Sequence, residues 1–282
     1  MLARFAVRGL VGTIPDSPLG KATHYPEVYD AGLLYPVDRA PQRRELGLTA
    51  LPFVGLDRWT AWELTWLDRM GRARSAIATF DVPCVSPRIV ESKSVKLWLA
   101  SLYNERFDAD AMVRDLLLRD LSAATGATVD VELDLPATWS RYARREGGGA
   151  SLDDESVVAF PSVPDASLLR SAGGPVDEAL VSHTFRSVCP VTGQPDYACV
   201  TIRYRGARID RSGLAAYLRG YRREPGFHEH CVERIFVDVK RACAPDRLAV
   251  EARFTRRGGL DINPFRTSDA GFGSPGEPTL RQ

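Results

Sequence analysis

An internal repeat constrains this chain more than any single motif does. Moving the second half back by 119 positions, the separation of Leu214 from Val95, brings the apolar residues of the two halves into register. Val95, Trp98, Leu99 and Leu102 then meet Leu214, Tyr217, Leu218 and Tyr221. That i, i+3, i+4, i+7 spacing is the stripe of an amphipathic helix in each half. Val113, Leu116 and Leu117 meet Val232, Ile235 and Phe236, which predicts a second helix in each half. "VDVEL" (129–133) meets "LAVEA" (248–252), alternating as strands do, with Glu132 on Glu251. Upstream, Thr65 and Trp66 meet Thr184 and Phe185. Helix, helix and strand in one order at one offset point to a degenerate duplication.

Each copy therefore reads as a β-hairpin, two helices and a return hairpin, with "SAIATFDVP" and "YACVTIRYRG" before the helices. Strands followed by helices specify an α+β class, an antiparallel sheet with helices on one face. The repeat divides the chain into a lobe over 1–144, a connector over 145–156 and a second lobe over 157–282. "REGGGASLDDES" (145–156) is rich in Gly, Ser and acid, as an exposed connector is. "SDAGFGSPGEPTLRQ" (268–282) has too few apolar residues to pack on its own and reads as a loosely docked arm. No G-x-G-x-x-G stands between a strand and a helix pattern, so any nucleotide cofactor is held without a Rossmann turn.

A formal net charge of +1 implies no broad basic field, so neither nucleic acid nor a membrane surface is expected as a direct partner. "RYARR" (141–145) and "RYRGAR" (203–208) read as solvated faces. No apolar run approaches the roughly 18 residues of a membrane span. Arg8 interrupts the apolar run that a signal peptide needs, and a cytoplasmic protein is the expectation. The five cysteines (Cys84, Cys189, Cys199, Cys231, Cys243) are odd in number and scattered, which argues against a disulfide framework. Cys189, Cys199, His228 and His230 are the available zinc ligands, at a spacing that gives a metal site little support.

Four segments bear chemistry, each with a bland reading beside it. In "SVCPVTGQPDY" (187–197), Pro190, Gly193 and Pro195 favour a turn that either buries Cys189 as a small hydrophobe or holds it out as a nucleophile. Asp196 does not lower a thiol pKa while ionised; it suits a proton donor, or else it caps the turn. In "ESKSVK" (91–96), Glu91 and Ser92 stand at a helix start, where Ser92, Lys93 and Ser94 cradle a phosphate or else form an N-cap with a solvated lysine. In "GFHEHC" (226–231), Glu229 can accept two parallel hydrogen bonds from an amidine-like edge, while His228 and His230 otherwise read as a surface pair. "RRGGLDINPFR" (256–266) places two arginines before Gly258 and Gly259, a phosphate site or a plain hairpin tip. The repeat sets Cys189 opposite Met70 and "ESKSVK" opposite "DRSGLA" (210–215), so a thiol belongs to one half and a polar helix start to the other.

Together with "LGKATHYPEVYDAGLLYPVDR" (19–39), "GLDRWTAWELTWL" (55–67) and "FHEHCVERI" (227–235), these segments resemble the two-lobed form of the NADPH-dependent 7-cyano-7-deazaguanine reductase family. The resemblance covers nearly the whole chain. It implies a tandem tunnelling fold (T-fold), related to pterin-handling enzymes, with sites where lobes meet. It also implies reduction of the nitrile of 7-cyano-7-deazaguanine to a primary amine by two NADPH, in queuosine biosynthesis, in a cytoplasmic homodimer. By position, Cys189 matches the nucleophile that forms a thioimide and Asp196 the proton donor. Val90, Glu91, Ser92, His228 and Glu229 match substrate-binding positions, and Ser92, Lys93, Arg257 and Gly258 the NADPH site, with no metal. A cyclohydrolase on the same fold would need a metal set, and a binding or assembly protein would leave Cys189 structural.

Overall fold

The computed structural model describes residues 26–142, 148–156 and 161–282. The first half runs β1 (Pro36–Asp38), α1 (Ala40–Glu45), β2 (Val54–Asp68), β3 (Ala73–Pro83), β4 (Arg88–Val90), α2 (Ser92–Ala100), β5 (Arg106–Phe107), α3 (Asp110–Thr125) and β6 (Asp130–Asp134). The second runs β7 (Ala150–Ser151), β8 (Ser171–Val188), β9 (Pro195–Ile209), α4 (Arg211–Arg219), α5 (His228–Cys243), β10 (Arg247–Phe254) and β11 (Leu260–Thr267). Ser92 and Arg211 begin α2 and α4 at a separation of 119 positions.

Among the described residues nine strands form one sheet, in the order β6-β3-β2-β11-β10-β9-β8-β7, with β5 beside β2. Its ladders are antiparallel apart from short parallel contacts at β7–β8 and β2–β5. The two halves join where β11 pairs with β2, from Leu260↔Ala61 to Thr267↔Val54. A separate ladder of β1 with β4 (Pro36↔Val90) delivers the chain to α2.

The strand period puts the four longer helices on one face. Leu248, Val250, Ala252 and Phe254 of β10 share a core with Val232, Ile235, Phe236 and Val239 of α5. In the first half Trp59, Ala61, Phe80 and Val82 pack with Val95 and Trp98 of α2 and Val113 and Leu117 of α3. Each of these large side chains, removed from water, contributes roughly 1.5–3 kcal/mol of gross stabilisation. The alternate residues of β10, Glu251 and Arg253, belong to the other face, where they form an ion pair of 3.0 Å.

Two sequence expectations change here. Residues 145–147 of the expected connector lie outside the described residues, but Ala150–Ser151 pairs with β8 and Leu152 is only 2% exposed. Segment 268–282 is not loosely docked. Phe272 closes a small cluster with Ala249 and Phe265, and Gln282 is 3% exposed. The Gln282 amide donates to Asn263 Oδ1 (2.7 Å) and Phe254 O (3.1 Å). Phe272 and these hydrogen bonds together seat the segment, despite its low apolar content. The residues around Arg8, "LGKATHY" (19–25) and Ala143–Arg145 of "RYARR" lie outside the described residues. No helix among the described residues is long and apolar enough to cross a membrane.

Candidate active site

Cys189 follows the last residue of β8 and begins the tip that leads into β9. Its N–H donates to Gln194 O (2.8 Å), and its carbonyl accepts from Gly193 N–H (3.0 Å). Gly193 sits at φ +69, a conformation that glycine adopts without steric cost. The sequence thus ends the ladder at Cys189 and turns the chain. Segment 224–226 then covers the tip, through Val188 N–H to Glu224 O (3.1 Å) and Gly226 N–H to Val188 O (3.0 Å). As a result Cys189 is 7% exposed, whereas Met70, its counterpart in the first half, is 70% exposed.

Asp196 opens β9 opposite Ser187 and is buried. Arg257 Nη2 lies 3.0 Å from its Oδ1, and His228 Nε2 lies 3.5 Å from its Oδ2. Arg257, expected at the cofactor, therefore also pairs with the expected proton donor. It stands before a hairpin tip in which Gly258 (φ +61) and Gly259 (φ +75) carry no side chain. A Cβ on Gly258 would lie 3.5 Å from Lys96 Cδ, which places α2 beside this tip.

Glu91 is the N-cap of α2, and both its oxygens are used: Oε1 accepts from Lys93 N–H (2.7 Å) and Oε2 from Ser94 N–H (2.9 Å). The anion at this helix start is thus the chain's own carboxylate, so those amides do not form the phosphate cradle considered from sequence. Burial pushes Glu91 up against the opposing pull of these amides. Lys96, one turn on, is pushed down by burial and next by Arg257.

Glu229 and His228 lie in the first turn of α5. Burial pushes Glu229 up and the Asp57 charge adds to this, while Arg39 and His228 oppose it. His228 and His230 are not a surface pair. His228 stacks on Phe254 with centroids 3.6 Å apart, and burial pushes His230 down to about 4.

These elements enclose one cavity. Val90, Glu91 and Ser92 form one wall, and Cys189, Asp196, His228, Glu229 and Arg257 form the others. Its free volume is about 30 Å³, so a purine-sized ligand enters only if the covering segments part. Lys93 and Gly258 stand beside these walls rather than in them. A separate groove of about 920 Å³, bounded by Arg58, Asp81, Glu132 and Arg253, has no cysteine in its walls.

Sequence reasoning missed Phe254 beneath His228, Lys96 beside Gly258, and Arg39 and Asp57 behind Glu229. Lys96 in "ESKSVK", Arg39 in "YPVDR" and Asp57 in "GLDRW" had a signal; Phe254 is joined to the site only by tertiary pairing. All five cysteines are free and buried. Burial pushes Cys231 up to about 12 and Cys243 to about 11, which leaves both thiols protonated. Among the described residues no three or more His, Cys, Asp or Glu side chains group as a metal site.

Comparison with known proteins identifies the family. The family described as "Nitrile reductase, 7-cyano-7-deazaguanine-reductase N-term" matches residues 25–133, and "QueF-like protein" matches residues 195–271. The chain is 54% identical over 257 residues, 89% of its length and 93% of the relative's, to a protein of Burkholderia cenocepacia (strain HI2424) named NADPH-dependent 7-cyano-7-deazaguanine reductase. A protein of the same name from Burkholderia vietnamiensis is 53% identical over the same shares of both chains. The chain belongs to the nitrile reductase, 7-cyano-7-deazaguanine-reductase, family.

Proposed function

We propose that the chain reduces the nitrile of 7-cyano-7-deazaguanine to the amine of 7-aminomethyl-7-deazaguanine, in queuosine biosynthesis, through a thioimide on Cys189. The observation that carries this is the meeting of Cys189, Asp196 and Glu229 in one cavity whose remaining wall is the start of α2. The relatives' names supply the substrate and NADPH.

A nitrile becomes a primary amine by taking up two hydrides and two protons, and NADPH, when bound, supplies the hydrides. The residues present fit such a group. Lys96 stands beside the Arg257–Gly258 tip, where burial first and the Arg257 charge next depress it, and an anionic phosphate relieves two cations held together. Ser92, Lys93, Arg257 and Gly258 would hold it, the glycine tip allowing close approach of backbone.

The chain's own residues activate and hold the nitrile. Cys189 Sγ bonds to the nitrile carbon, one C–N π bond breaks, and the nitrogen takes a proton from Asp196. The proton that leaves the Cys189 thiol as the C–S bond forms balances the one that Asp196, held by Arg257, delivers to the nitrogen. The resulting C=N carbon accepts hydride far better than the nitrile does. Glu229 accepts the N–H edge of the heterocycle and, with His228, keeps it in place after Cys189 leaves as thiolate. Val90, Glu91 and Ser92 bound the ring from the other half, and closure of the covering segments over the bound ring excludes the water that would hydrolyse an imine.

We read the two halves as a tandem T-fold repeat over 1–144 and 157–282, supported by the common element order and the 119-residue offset. A homodimer is supported by the sheet edges: β7 covers only Leu180 and Val181 of β8. Five free cysteines support a reducing, cytoplasmic setting. The test is NADPH absorbance with the nitrile added. Two NADPH consumed per nitrile, with amine as product, is the expected result; no nitrile-dependent consumption overturns the proposal.

A further inference from the structure

Three motifs contain residues that the chemistry above does not use. Arg39 closes "YPVDR", Asp57 stands in "GLDRW" and Arg266 closes "NPFR". The fold gathers them at the seam between the two helix-covered cores. Arg39 donates through Nη2 to Asp57 and through Nε to Ser86 Oγ (3.2 Å). Arg266 Nη1 donates to Asp57 Oδ1 (2.8 Å) and Nη2 to Glu233 Oε1 (2.9 Å). Arg43 grips both oxygens of Glu233, at 2.7 and 3.1 Å. Asp57 and Arg266 are fully buried, and Arg39 and Glu233 are each 3% exposed.

This network holds three guanidinium groups against two carboxylates, and an unbalanced buried charge is costly. Glu229 is a third carboxylate beside this network. It lies one turn before Glu233 on α5 and shares a small cavity with Arg39, Asp57 and Val90. It also lines the Cys189 cavity, so one carboxylate stands between the network and the site.

We propose that Arg39 and Asp57 are positioning residues for Glu229, the ion network behind α5 setting the balance between its acid and its carboxylate and keeping it turned toward the N–H edge of the heterocycle. The inference rests on Glu229 being the substrate anchor. Ionised, a carboxyl group presents both oxygens as acceptors to two parallel donors; protonation turns one of them into a donor. The charged groups around it are Arg39, Asp57 and His228, with Glu91, Asp196 and Arg257 across the cavity. Among them Asp57 and Arg39 act in opposite senses, the first favouring the protonated acid and the second the carboxylate.

The test measures the dissociation constant of 7-cyano-7-deazaguanine against pH in a Cys189→Ala background, where no covalent step intervenes. Affinity is expected to fall on the acid side as Glu229 takes a proton. Arg39→Gln is expected to move that limb to higher pH by roughly one unit, and Asp57→Asn to lower pH, as removal of an opposite or a like neighbouring charge does. Structural damage would weaken binding in both variants without opposed shifts. Limbs that stay in place, or move together, overturn the proposal. Should Arg39→Gln lose its melting transition, the direction in Asp57→Asn decides, together with Arg39→Lys, which keeps the charge and must keep the wild-type limb. Glu229→Gln separates the two levels. A limb that survives it removes Glu229 as the anchor, whereas a limb lost there but unmoved in the other variants removes only the network's role.

Discussion

His228 lies flat on Phe254, with ring centroids 3.6 Å apart and planes within 4°. Phe254 is fully buried at the end of β10, so its ring gives the histidine a fixed floor. The stack leaves His228 Nε2 3.5 Å from Asp196 Oδ2, which couples the expected anchor to the expected proton donor. Phe254→Leu keeps an apolar filler but removes the flat surface. A stack of this kind contributes roughly 0.5–1.5 kcal/mol beyond its buried area, so nitrile affinity is expected to fall about three- to tenfold. Calorimetric titration in the Cys189→Ala background checks this; an unchanged affinity would show that the stack does not hold the anchor.

What the sequence disclosed and what it concealed divide by the range of the interaction. The stripes of α2 and α4 and the alternation of β6 and β10 are local periodicities, and they were legible. So was the turn at Cys189, because Pro190 and Gly193 dictate it locally. The contact of Asp57 with Arg266 spans 209 positions, and no local pattern records it. Leu152 sits in a polar segment and Gln282 in one poor in apolar residues, yet both are buried. Their burial depends on what β8 and β10 leave uncovered. The positions of the site residues came from resemblance, while the pairing of Arg257 with Asp196 and the capping of α2 by Glu91 required the fold.

The cysteines should separate in reactivity. Cys231 and Cys243, pushed up by burial to about 12 and about 11, keep their protons at neutral pH. Only thiolates react with iodoacetamide, and for Cys231 that fraction is on the order of 10⁻⁵. Alkylation of the folded protein at neutral pH, mapped by mass spectrometry, is expected at Cys189 ahead of these two. Modification of Cys231 before Cys189 would contradict the nucleophile assignment.

Gly258 probes the cofactor side. At φ +61 an alanine is strained by about 1–2 kcal/mol, while its Cβ, 3.5 Å from Lys96 Cδ, meets no clash. Gly258→Ala is therefore expected to shift the tip carrying Arg257 and to raise the KM for NADPH several-fold. Affinity for the nitrile, measured without NADPH, should stay the same. Equal losses in both would show that the tip serves the cavity as a whole.

Gln282 tests the docking of segment 268–282. Its Oε1 accepts from Arg253 Nε (3.2 Å) and Thr279 N–H (3.0 Å), and its amide donates to Asn263 and Phe254. Gln282→Ala strands these buried partners at a cost of about 1–3 kcal/mol. That corresponds to a fall in Tm of several degrees, at roughly 2–4 °C per kcal/mol. A wild-type Tm would mean the segment is docked as loosely as its composition alone suggests.

His230 sets a pH dependence whose sign is fixed by its burial. Burial lowers its pKa from 6.5 in the unfolded chain to about 4 in the fold. Between those values the unfolded state holds a proton that the folded state does not, so stability falls as pH falls through that window. Asp57 and Glu233, each held below the ordinary carboxylate value despite burial, lose their contributions only below about 4.5, at and beyond the acid end of the His230 window. Glu91, Glu229 and Asp261, raised by burial, act in the opposite sense above their ordinary values, so the readout is the difference between two proteins rather than one slope. His230→Asn removes the titrating ring, whose Nδ1 has no partner among the described residues. Its Tm is expected to decline less steeply than that of the wild type between pH 6.5 and about 4. Parallel curves across that window would show that His230 is solvated and titrates as it does in the unfolded chain.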